Sequence, residues 1–296
     1  MKKYEKKKLP FLGVGTALVT PFSEGRLDLP AFRALLQRQL AGGVSALVVS
    51  GTTGEAATLT KSEKARLLAA AVEEVEHKVP ILAGTGSNST REAVTMARYA
   101  ATHGADALLV VTPYYNKGTN EGIVSHYLSI AEAVDIPVVL YNVPSRTGVN
   151  IPLSSLSRLA EHENIVGIKE ASGDMERVAD ILSACGDSLA VYSGNDSTYL
   201  PVLALGGVGL ISVVSNILPA ETVLLSNLFA EGKTKEAAIL AGRLLPFIRL
   251  LFAEVNPSPI KYAMSLRGWI QKELRLPLTP PSASLCEKIE AELRKW

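Results

Sequence analysis

The chain has 296 residues, of which 47% are hydrophobic and 20% are charged. Such proportions are typical of a globular protein with a sizeable core. The 30 basic and 29 acidic side chains leave a formal net charge of only +1. No global field therefore favours nucleic acid or an anionic membrane, and small-molecule chemistry fits the composition better.

The sequence carries no signal for secretion, membrane insertion or metal binding. The basic start of the chain, which we predict to be a solvated tail over residues 1–10, is not followed by the apolar stretch of a signal peptide. The longest apolar region is broken by Asn216, Pro219 and Glu221, which argues against a membrane span. Two distant cysteines and four scattered histidines form no disulfide framework or metal-ligand pattern. We expect a reducing, cytoplasmic location and no metal.

Short runs rich in valine, isoleucine and leucine alternate with longer amphipathic stretches along most of the chain. This alternation is typical of βα units and a parallel sheet. Eight runs are predicted strands, at Val14–Thr20, Ala46–Ser50, Ile81–Gly84, Ala107–Thr112, Val138–Asn142, Ile165–Lys169, Leu189–Ser193 and Gly207–Val213. Eight right-handed βα units close naturally as a (β/α)8 TIM barrel, which we assign to residues 11–218.

Helical patterns lie between the strands, as at Pro30–Ala41, Lys61–Glu76, Thr90–His103 and Glu121–Val134. Each opens near a serine, threonine, asparagine or proline, as helix starts prefer. After Pro219 the strand runs stop, and the better helix candidates are Leu224–Ala230, Thr234–Phe252, Pro259–Arg267 and Ser282–Lys295. We therefore predict an α/β fold with a C-terminal helical extension, residues 219–296, packed on the barrel.

Reactive side chains follow most of the predicted strands. In a (β/α)8 barrel, catalytic groups sit where strands end and βα loops begin. The segments at these positions are Gly51–Glu55, Gly84–Asn88, Thr112–Asn116, Tyr141–Arg146, Lys169 and Gly194–Asp196. We expect all of them to face one mouth of the barrel.

Lys169 closes the apolar run Ile165–Ile168 and is followed at once by Glu170. An amine at the end of a buried strand either has a partner or tends to lose its charge, and a neutral amine is a nucleophile for carbonyl carbons. Two structural alternatives are a lysine that reaches water and a lysine paired with Glu170. The strand end alone favours these alternatives, whereas the reactive side chains expected at the same mouth favour catalysis.

Other segments at the predicted mouth have two interpretations each. Tyr141 is either an ordinary strand tyrosine or a phenol that exchanges protons beside an amine nucleophile. Arg146 makes either a surface ion pair or a bidentate clamp for a substrate carboxylate. The segment Gly51–Gly54 is either a capped turn or a carboxylate cradle. The glycines of 84–87 and 205–209 invite a phosphate site, but tight turns are the better interpretation because no Walker or Rossmann pattern accompanies them.

Five segments together resemble one known family. In chain order they are Gly51–Glu55, Thr112–Asn116, Tyr141–Gly148, Gly167–Ala171 and Ser193–Asp196. Over nearly its whole length the chain is similar to the dihydrodipicolinate synthase family, within the N-acetylneuraminate lyase group of pyruvate-dependent class I aldolases. Each segment is weak evidence alone, but their conjunction is highly specific.

The resemblance implies roles for individual residues. Lys169 would form a Schiff base with pyruvate, and Tyr141 would donate and accept protons. Thr52 and Tyr115 would complete a proton relay, and in this family the latter tyrosine reaches in from the neighbouring subunit. Arg146 would hold the carboxylate of the second substrate, L-aspartate 4-semialdehyde. The residues implied around bound pyruvate are Thr53, Gly194 and Ile211.

The implied reaction needs no metal or organic cofactor, because the covalent pyruvate Schiff base on Lys169 does the electronic work. Its positive nitrogen makes the methyl protons acidic, and the resulting enamine adds to the aldehyde. The product would be 4-hydroxy-tetrahydrodipicolinate, in the diaminopimelate and lysine biosynthesis pathway. The resemblance also implies a homotetramer built as a dimer of dimers, although some relatives stop at dimers.

Two other functions remain open. A lyase or aldolase for sugar acids would share the Schiff-base lysine, but a basic clamp at Arg146 suits a small amino-acid aldehyde better than a polyol. A catalytically silent barrel that binds a keto acid or a protein partner belongs to a different class. Borohydride treatment with pyruvate separates the classes, because only an enzyme of the implied kind becomes tagged at Lys169.

One departure from the family pattern concerns feedback by lysine, which some members bind at a subunit interface. Asn88 and Glu92 match those members, but other possible allosteric positions here are Ala56, Ala57, Lys61 and Lys64. Two cations beside a cationic effector weaken its binding, unless both lysines point to solvent. We expect weak or absent feedback, and inhibition at submillimolar lysine would contradict this.

Overall fold

The computed structural model describes residues 7–296. Eight strands, numbered in chain order, form a closed barrel in which consecutive strands are neighbours and the last lies beside the first. Their bounds are β1 Gly13–Ala17, β2 Ala46–Val49, β3 Ile81–Gly84, β4 Ala107–Val111, β5 Val138–Asn142, β6 Ile165–Glu170, β7 Ala190–Ser193 and β8 Gly209–Ser212. The predicted α/β fold with a (β/α)8 TIM barrel is confirmed.

Twelve α-helices occur within the described residues. The first eight are α1 Leu29–Ala41, α2 Lys61–Val75, α3 Thr90–Thr102, α4 Asn120–Ala131, α5 Pro144–Thr147, α6 Leu153–Leu159, α7 Met175–Cys185 and α8 Tyr199–Leu205. The four C-terminal helices are α9 Pro219–Ala230, α10 Thr234–Leu251, α11 Ser258–Leu266 and α12 Ala283–Leu293. The predicted C-terminal helices are therefore present, and α9 begins earlier than predicted, with Pro219 at its first position.

Two differences from the predicted strands have physical reasons. A short antiparallel hairpin pairs Phe22–Ser23 with Arg26–Leu27, and segments of two residues are too short to show a strand period in the sequence. The strand β6 runs one residue beyond its predicted end, to Glu170. Because successive strand side chains point to opposite faces, Lys169 and Glu170 project in opposite directions.

The chain clusters into two compact units. Of the described residues, the first unit contains those up to Leu12 together with Pro80–Ile211, and the second contains Gly13–Val79 and Ser212–Trp296. The division into a tail, a barrel and C-terminal helices stays a prediction, and residues 1–6 of the tail lie outside the described part of the chain. Lys7, also assigned to the tail, donates from Nζ to three backbone carbonyl oxygens, those of Ala160, His162 and Ile165.

In the first unit, parallel ladders join β3 through β8. The apolar strand residues Val138, Val139 and Leu140 are fully buried, as expected for a parallel sheet whose strands are covered on both faces. The register of β5 and β6 is irregular between Val138 and Val139 and then regular to the strand ends. This regular part ends at the residues with catalytic potential.

In the second unit, β1 and β2 pair in parallel, and helix starts are capped as their sequences demand. Asp28 accepts from the backbone of Ala31 at the start of α1, and Thr60 and Glu63 form a capping box at the start of α2. Helix α11 is unusual because its first seven residues are all buried, among them Lys261. A buried lysine needs a partner, and Lys261 forms an ion pair with Glu55.

Two further features are absent from residues 7–296. None of the helices there combines the length and the apolar composition of a membrane span. No group of three or more histidine, cysteine, aspartate or glutamate side chains there is arranged to hold a metal ion.

Candidate active site

Lys169 and Tyr141 lie side by side at the ends of neighbouring strands in the first unit. Their Cα atoms are partners in the register of β5 and β6, so both side chains project from the same face of the sheet. The Nζ atom of Lys169 lies 4.2 Å from the centroid of the Tyr141 ring. The two residues are only 5% and 6% exposed. The structure thus brings the candidate nucleophile and the candidate proton-transfer group together.

Glu170 is engaged elsewhere and does not pair with Lys169. Its carboxylate, 1% exposed, forms a 2.9 Å ion pair with Arg177. It also accepts from Nδ2 of Asn142 and from the backbone N–H of Ser172. The alternative of a structural ion pair between Lys169 and Glu170 is therefore wrong, and the burial of Lys169 argues against an amine that reaches water.

Arg146 lies five residues after Tyr141 and is exposed. It lies in the one-turn helix α5, which begins two residues after the end of β5. Pro144 occupies the first position of this helix, and Gly148 ends it with φ of 65° in the left-handed region that glycine tolerates best. The guanidinium is therefore carried on a short, well-defined turn directly after the strand that bears Tyr141.

Gly194 and Ile211 also lie in the first unit. The backbone N–H of Gly194 donates to the carbonyl oxygen of Glu170 at 2.7 Å, which ties the end of β7 to the end of β6. A Cβ at position 194 would lie 2.5 Å from the Cβ of Ala171, so only glycine permits this approach. Ile211 is fully buried in β8.

Tyr115 is highly exposed. It is 90% exposed, which is unusual for a large aromatic side chain. Its φ is 70°, a left-handed conformation that costs a residue with a Cβ about 1–2 kcal/mol. Backbone outliers of this kind cluster at functional sites, which indicates a functional role for Tyr115.

Thr52 and Thr53 belong to the second unit, where the loop after β2 is held by residues from the C-terminal part of the chain. Thr52 is half-buried and Thr53 is buried. The Oγ1 atom of Thr53 accepts a hydrogen bond from Nδ2 of Asn256 at 3.0 Å. Glu55, in the left-handed region with φ of 56°, accepts from Nζ of Lys261 at 2.6 Å. These contacts fix the backbone that carries both threonines.

The Glu55–Lys261 ion pair is almost completely buried, with side chains 0% and 1% exposed. Lys261 also donates to the carbonyl oxygen of Thr20 and lies over the ring of Phe22. Burial lowers the pKa of Lys261, and the Glu55 carboxylate opposes that change. The second carboxylate oxygen of Glu55 accepts from the backbone N–H of Arg275 at 3.0 Å. Both charged groups of the pair therefore have hydrogen-bond partners, as a buried ion pair requires.

Comparison with known proteins identifies the family of this chain. The model of the Dihydrodipicolinate synthetase family matches residues 10–296. The chain belongs to the dihydrodipicolinate synthetase family. The resemblance inferred from the sequence motifs is confirmed.

Relatives within the dihydrodipicolinate synthetase family cover nearly the whole chain. The 4-hydroxy-tetrahydrodipicolinate synthase of Syntrophobacter fumaroxidans is 47% identical over 287 residues, or 97% of this chain and 99% of the relative. The crystal structure of dihydrodipicolinate synthase from Thermotoga maritima is 42% identical, covers 97% of this chain and 99% of its own, and has a TM-score of 0.95. A monomeric dihydrodipicolinate synthase variant is 41% identical, with coverage of 99% and 98% and a TM-score of 0.95.

The possible allosteric positions fall in both units. In the second unit Lys61 is exposed as the first residue of α2, and Lys64 is half-buried one turn later. Ala56 is half-buried and Ala57 exposed in the loop before this helix. In the first unit Asn88 accepts at its carbonyl oxygen from Nδ2 of Asn116, and Glu92 is half-buried in the first turn of α3.

Two sets of residues support the candidate site. Asn142 and Arg177 hold Glu170, and Asn256 and Lys261 hold the Thr52–Thr53 loop. Of these four residues, only Asn142 belongs to a segment that the sequence singles out. Arg177, Asn256 and Lys261 carry no local pattern that separates them from ordinary helix and loop residues.

Proposed function

We propose that the protein is a lyase that condenses pyruvate with L-aspartate 4-semialdehyde to give 4-hydroxy-tetrahydrodipicolinate, a step of diaminopimelate and lysine biosynthesis. One observation carries the proposal: the buried amine of Lys169 lies 4.2 Å from the Tyr141 ring centroid, at the ends of paired strands. Membership of the dihydrodipicolinate synthetase family supports the choice of reaction.

The reaction begins when the neutral amine of Lys169 attacks the ketone carbon of pyruvate. Tyr141 delivers a proton to the carbinolamine oxygen, which leaves as water, and an iminium forms. Its positive nitrogen draws electrons from the methyl group, which loses a proton and becomes the terminal carbon of an enamine. The close approach of Tyr141 to Lys169 supports this proton-transfer role, because a general acid or base must lie within reach of the reacting atoms.

The enamine carbon then forms a bond to the aldehyde carbon of L-aspartate 4-semialdehyde, whose oxygen takes up a proton. The substrate's own amine attacks the iminium carbon, closes the ring and expels the amine of Lys169. One water leaves overall, and no metal or organic cofactor takes part. Arg146 binds the carboxylate of the aldehyde substrate, since a guanidinium presents two parallel donors to a carboxylate.

The remaining candidate residues have supporting roles. Thr52 relays protons with Tyr115 and Tyr141, while Thr53, Gly194 and Ile211 surround bound pyruvate. The fixed loop of the two threonines and the close backbone approach at Gly194 support these assignments. Pre-set positions of this kind lower the entropic cost of bringing reacting groups together.

We assign the protein to the cytoplasm as a homotetramer, a dimer of dimers, in which Tyr115 completes the site of the neighbouring subunit. The 90% exposure of Tyr115 and its φ of 70° support this role, because an exposed, strained tyrosine has no evident use within its own subunit. Sedimentation of the purified protein tests the assembly. A fully active monomer would contradict it.

A direct comparison of substrates tests the proposed reaction. Purified protein is assayed for condensation of pyruvate with L-aspartate 4-semialdehyde and, in parallel, for cleavage of N-acetylneuraminate and 2-keto-3-deoxygluconate. We expect the condensation to be the fastest of the three by a wide margin. Faster turnover of either sugar acid would overturn the assignment of substrate while leaving the Schiff-base chemistry in place.

A further inference from the structure

We propose that Arg177 is a positioning residue for the Lys169–Tyr141 pair. Arg177 lies in the first turn of α7 and does not belong to any segment that carries the family resemblance. It binds Glu170, and Glu170 fixes the ends of β5 and β6 from the face opposite the reacting groups. The inference rests on the proposed function, because positioning matters only if Lys169 and Tyr141 react with substrate.

Two adjacent rungs of the β5–β6 ladder have different roles. In one rung Tyr141 pairs with Lys169, and in the next Asn142 pairs with Glu170. Side chains alternate between the faces of a strand, so the second pair lies behind the first and shares its backbone. Any movement that separates Asn142 from Glu170 therefore also displaces Tyr141 relative to Lys169.

The second rung is locked by hydrogen bonds to a buried carboxylate. The Nδ2 atom of Asn142 lies 3.0 Å and 2.9 Å from the two oxygens of Glu170. The backbone N–H of Ser172 donates to Oε1 of Glu170 at 2.8 Å, and Nε of Arg177 donates to Oε2 at 2.9 Å. The Glu170 and Arg177 side chains are 1% and 14% exposed, so these charge-assisted bonds are shielded from water and salt.

A second arm of the same network holds the segment that follows Arg146. Nη2 of Arg177 donates to the carbonyl oxygen of Ile151 at 2.7 Å. The backbone N–H of Ile151 donates in turn to Oδ1 of Asn142 at 3.1 Å. The chain thus leaves Asn142, forms α5 with Arg146, and returns to Asn142 within nine residues. Arg177 therefore fixes both the imine-forming pair and the base of the turn that carries the proposed carboxylate clamp.

The pairing of β5 and β6 requires contacts that fix its register, because this register is not uniform. Val138 pairs with Ile165, but Val139 pairs with Gly167, which leaves Val166 as an extra residue on β6. A shift of one residue in register moves every side chain of a strand to the other face. At the catalytic end, that shift would place Glu170 where Lys169 now lies. The Asn142–Glu170–Arg177 contacts are specific to the observed register.

Stability alone does not explain a buried ion pair at this position. Replacing such a pair by well-packed apolar side chains is often neutral or stabilising, because both charges lose their hydration when buried. Apolar side chains, however, would hold the strands without the directional bonds that define one register. We therefore attribute the buried charges to the directional bonds that define the register, and not to a gain in folding free energy.

Three variants and one control test the positioning role. Arg177→Met removes the charge and the hydrogen bonds to both Glu170 and Ile151. Arg177→Lys keeps a cation, which can bind Glu170 but cannot bind Ile151 at the same time. Glu170→Gln keeps the side-chain size and one acceptor oxygen. The control, Arg158→Met, removes an exposed ion pair with Glu121 from α6. Melting temperature, borohydride-dependent labelling by pyruvate, and the kcat and KM for condensation are measured for each.

We expect folded Arg177→Met to lose on the order of 10- to 100-fold in kcat, the scale of a displacement of about 1 Å between reacting groups. Its KM for pyruvate should stay within about threefold of the parent value, because the residues around pyruvate are intact. Arg177→Lys should recover part of the lost kcat, and Arg158→Met should lose none.

Two results would overturn the inference: a folded Arg177→Met protein with the parent kcat, or equal losses in Arg177→Met and Arg158→Met. If Arg177→Met does not fold, unchanged kcat in both Arg177→Lys and Glu170→Gln overturns it, and a reduced kcat in both supports it. Failure of the proposed function itself is distinguishable, because the parent protein would then show no labelling by pyruvate or no condensation of pyruvate with L-aspartate 4-semialdehyde.

Discussion

The amine of Lys169 lies over the face of the Tyr141 ring, with Nζ 4.2 Å from the ring centroid, and the two residues are partners in adjacent parallel strands. The relationship follows from strand geometry, since residues in register on neighbouring strands project side by side. The same alternation directs Glu170 to the opposite face, where Arg177 binds it. Lys169 is thereby separated from the carboxylate that is its neighbour in sequence.

Replacing Tyr141 by phenylalanine tests the proton-transfer role of its hydroxyl group. The ring that contacts Lys169 remains, so burial and packing change little, but the group that exchanges protons is lost. We expect kcat for condensation to fall by on the order of 10²- to 10⁴-fold. The folded state should be nearly unaffected, and thermal melting of the variant provides the control. A Tyr141→Phe protein with the parent kcat would show that another group moves the proton.

Replacing Arg146 by methionine tests whether this residue acts on L-aspartate 4-semialdehyde and not on pyruvate. Because Arg146 is exposed on α5 and follows the strand that bears Tyr141, its loss should leave imine formation with pyruvate intact. Loss of a charge-assisted contact to the substrate carboxylate should raise KM for L-aspartate 4-semialdehyde by on the order of 10-fold or more. Pyruvate labelling and condensation kinetics are measured side by side. Equal damage to both steps would contradict the assigned role.

The Glu55–Lys261 pair is expected to stabilise the second unit only while it is complete. Lys261→Met leaves the Glu55 carboxylate buried without its cation, and we expect a loss of about 3–5 kcal/mol in free energy of unfolding. The double variant Glu55→Gln/Lys261→Met should be more stable than Lys261→Met alone, because it removes the orphaned charge. Denaturant unfolding at neutral pH measures both.

Tyr262→Phe is the matched control for the Lys261 variants. It removes a hydrogen bond to Glu290 from the next residue of the same helix and leaves Glu55 untouched. A Lys261→Met protein as stable as Tyr262→Phe would show that the buried pair contributes nothing specific.

The lowered pKa of Glu63 predicts that this residue contributes to the stability of the folded state in a pH-dependent way. Hydrogen bonding to Arg275, helped by the Thr60 backbone, lowers the pKa of Glu63 from 4.5 to about 2. A carboxyl group whose pKa is lower in the folded state stabilises that state above its unfolded pKa and loses this effect as the pH falls toward the folded value. The melting temperature of the parent should therefore exceed that of Glu63→Gln near neutral pH, where the Glu63 carboxylate is fully charged.

The difference in melting temperature between the parent and Glu63→Gln should become smaller as the pH falls from 4.5 toward 2. Glutamine is also accepted at the third position of a capping box, so the substitution mainly removes the titrating charge. A difference in melting temperature that does not change with pH would contradict the assigned cause.

The strands and the principal residues of the candidate site follow from local patterns. Apolar runs such as Val138–Asn142 predict buried parallel strands, and catalytic groups of a barrel lie at strand ends. Tyr141 and Lys169 could therefore be placed near each other without a structure. Their exact register could not, because it depends on the irregular pairing of Val138 and Val139, which no periodicity in the sequence reveals.

Residues that support the site from a distance could not be predicted from the sequence. Arg177 resembles an ordinary polar residue of a helix start, and its role depends on how α7 packs against β6. Lys261 would be placed in solvent by its residue type alone, since buried lysines are rare. The exposure and backbone conformation of Tyr115 are likewise set by tertiary structure.

Schiff-base formation at Lys169 is tested most directly by identifying the residue that pyruvate modifies. The protein is treated with pyruvate and borohydride, digested, and its peptides are analysed by mass spectrometry. We expect a reduced pyruvate adduct on Lys169 in the parent protein and its loss in Lys169→Ala, together with the loss of condensation activity. An active protein in which Lys169 stays unmodified, or in which another lysine carries the adduct, would contradict the role of Lys169 as the Schiff-base residue.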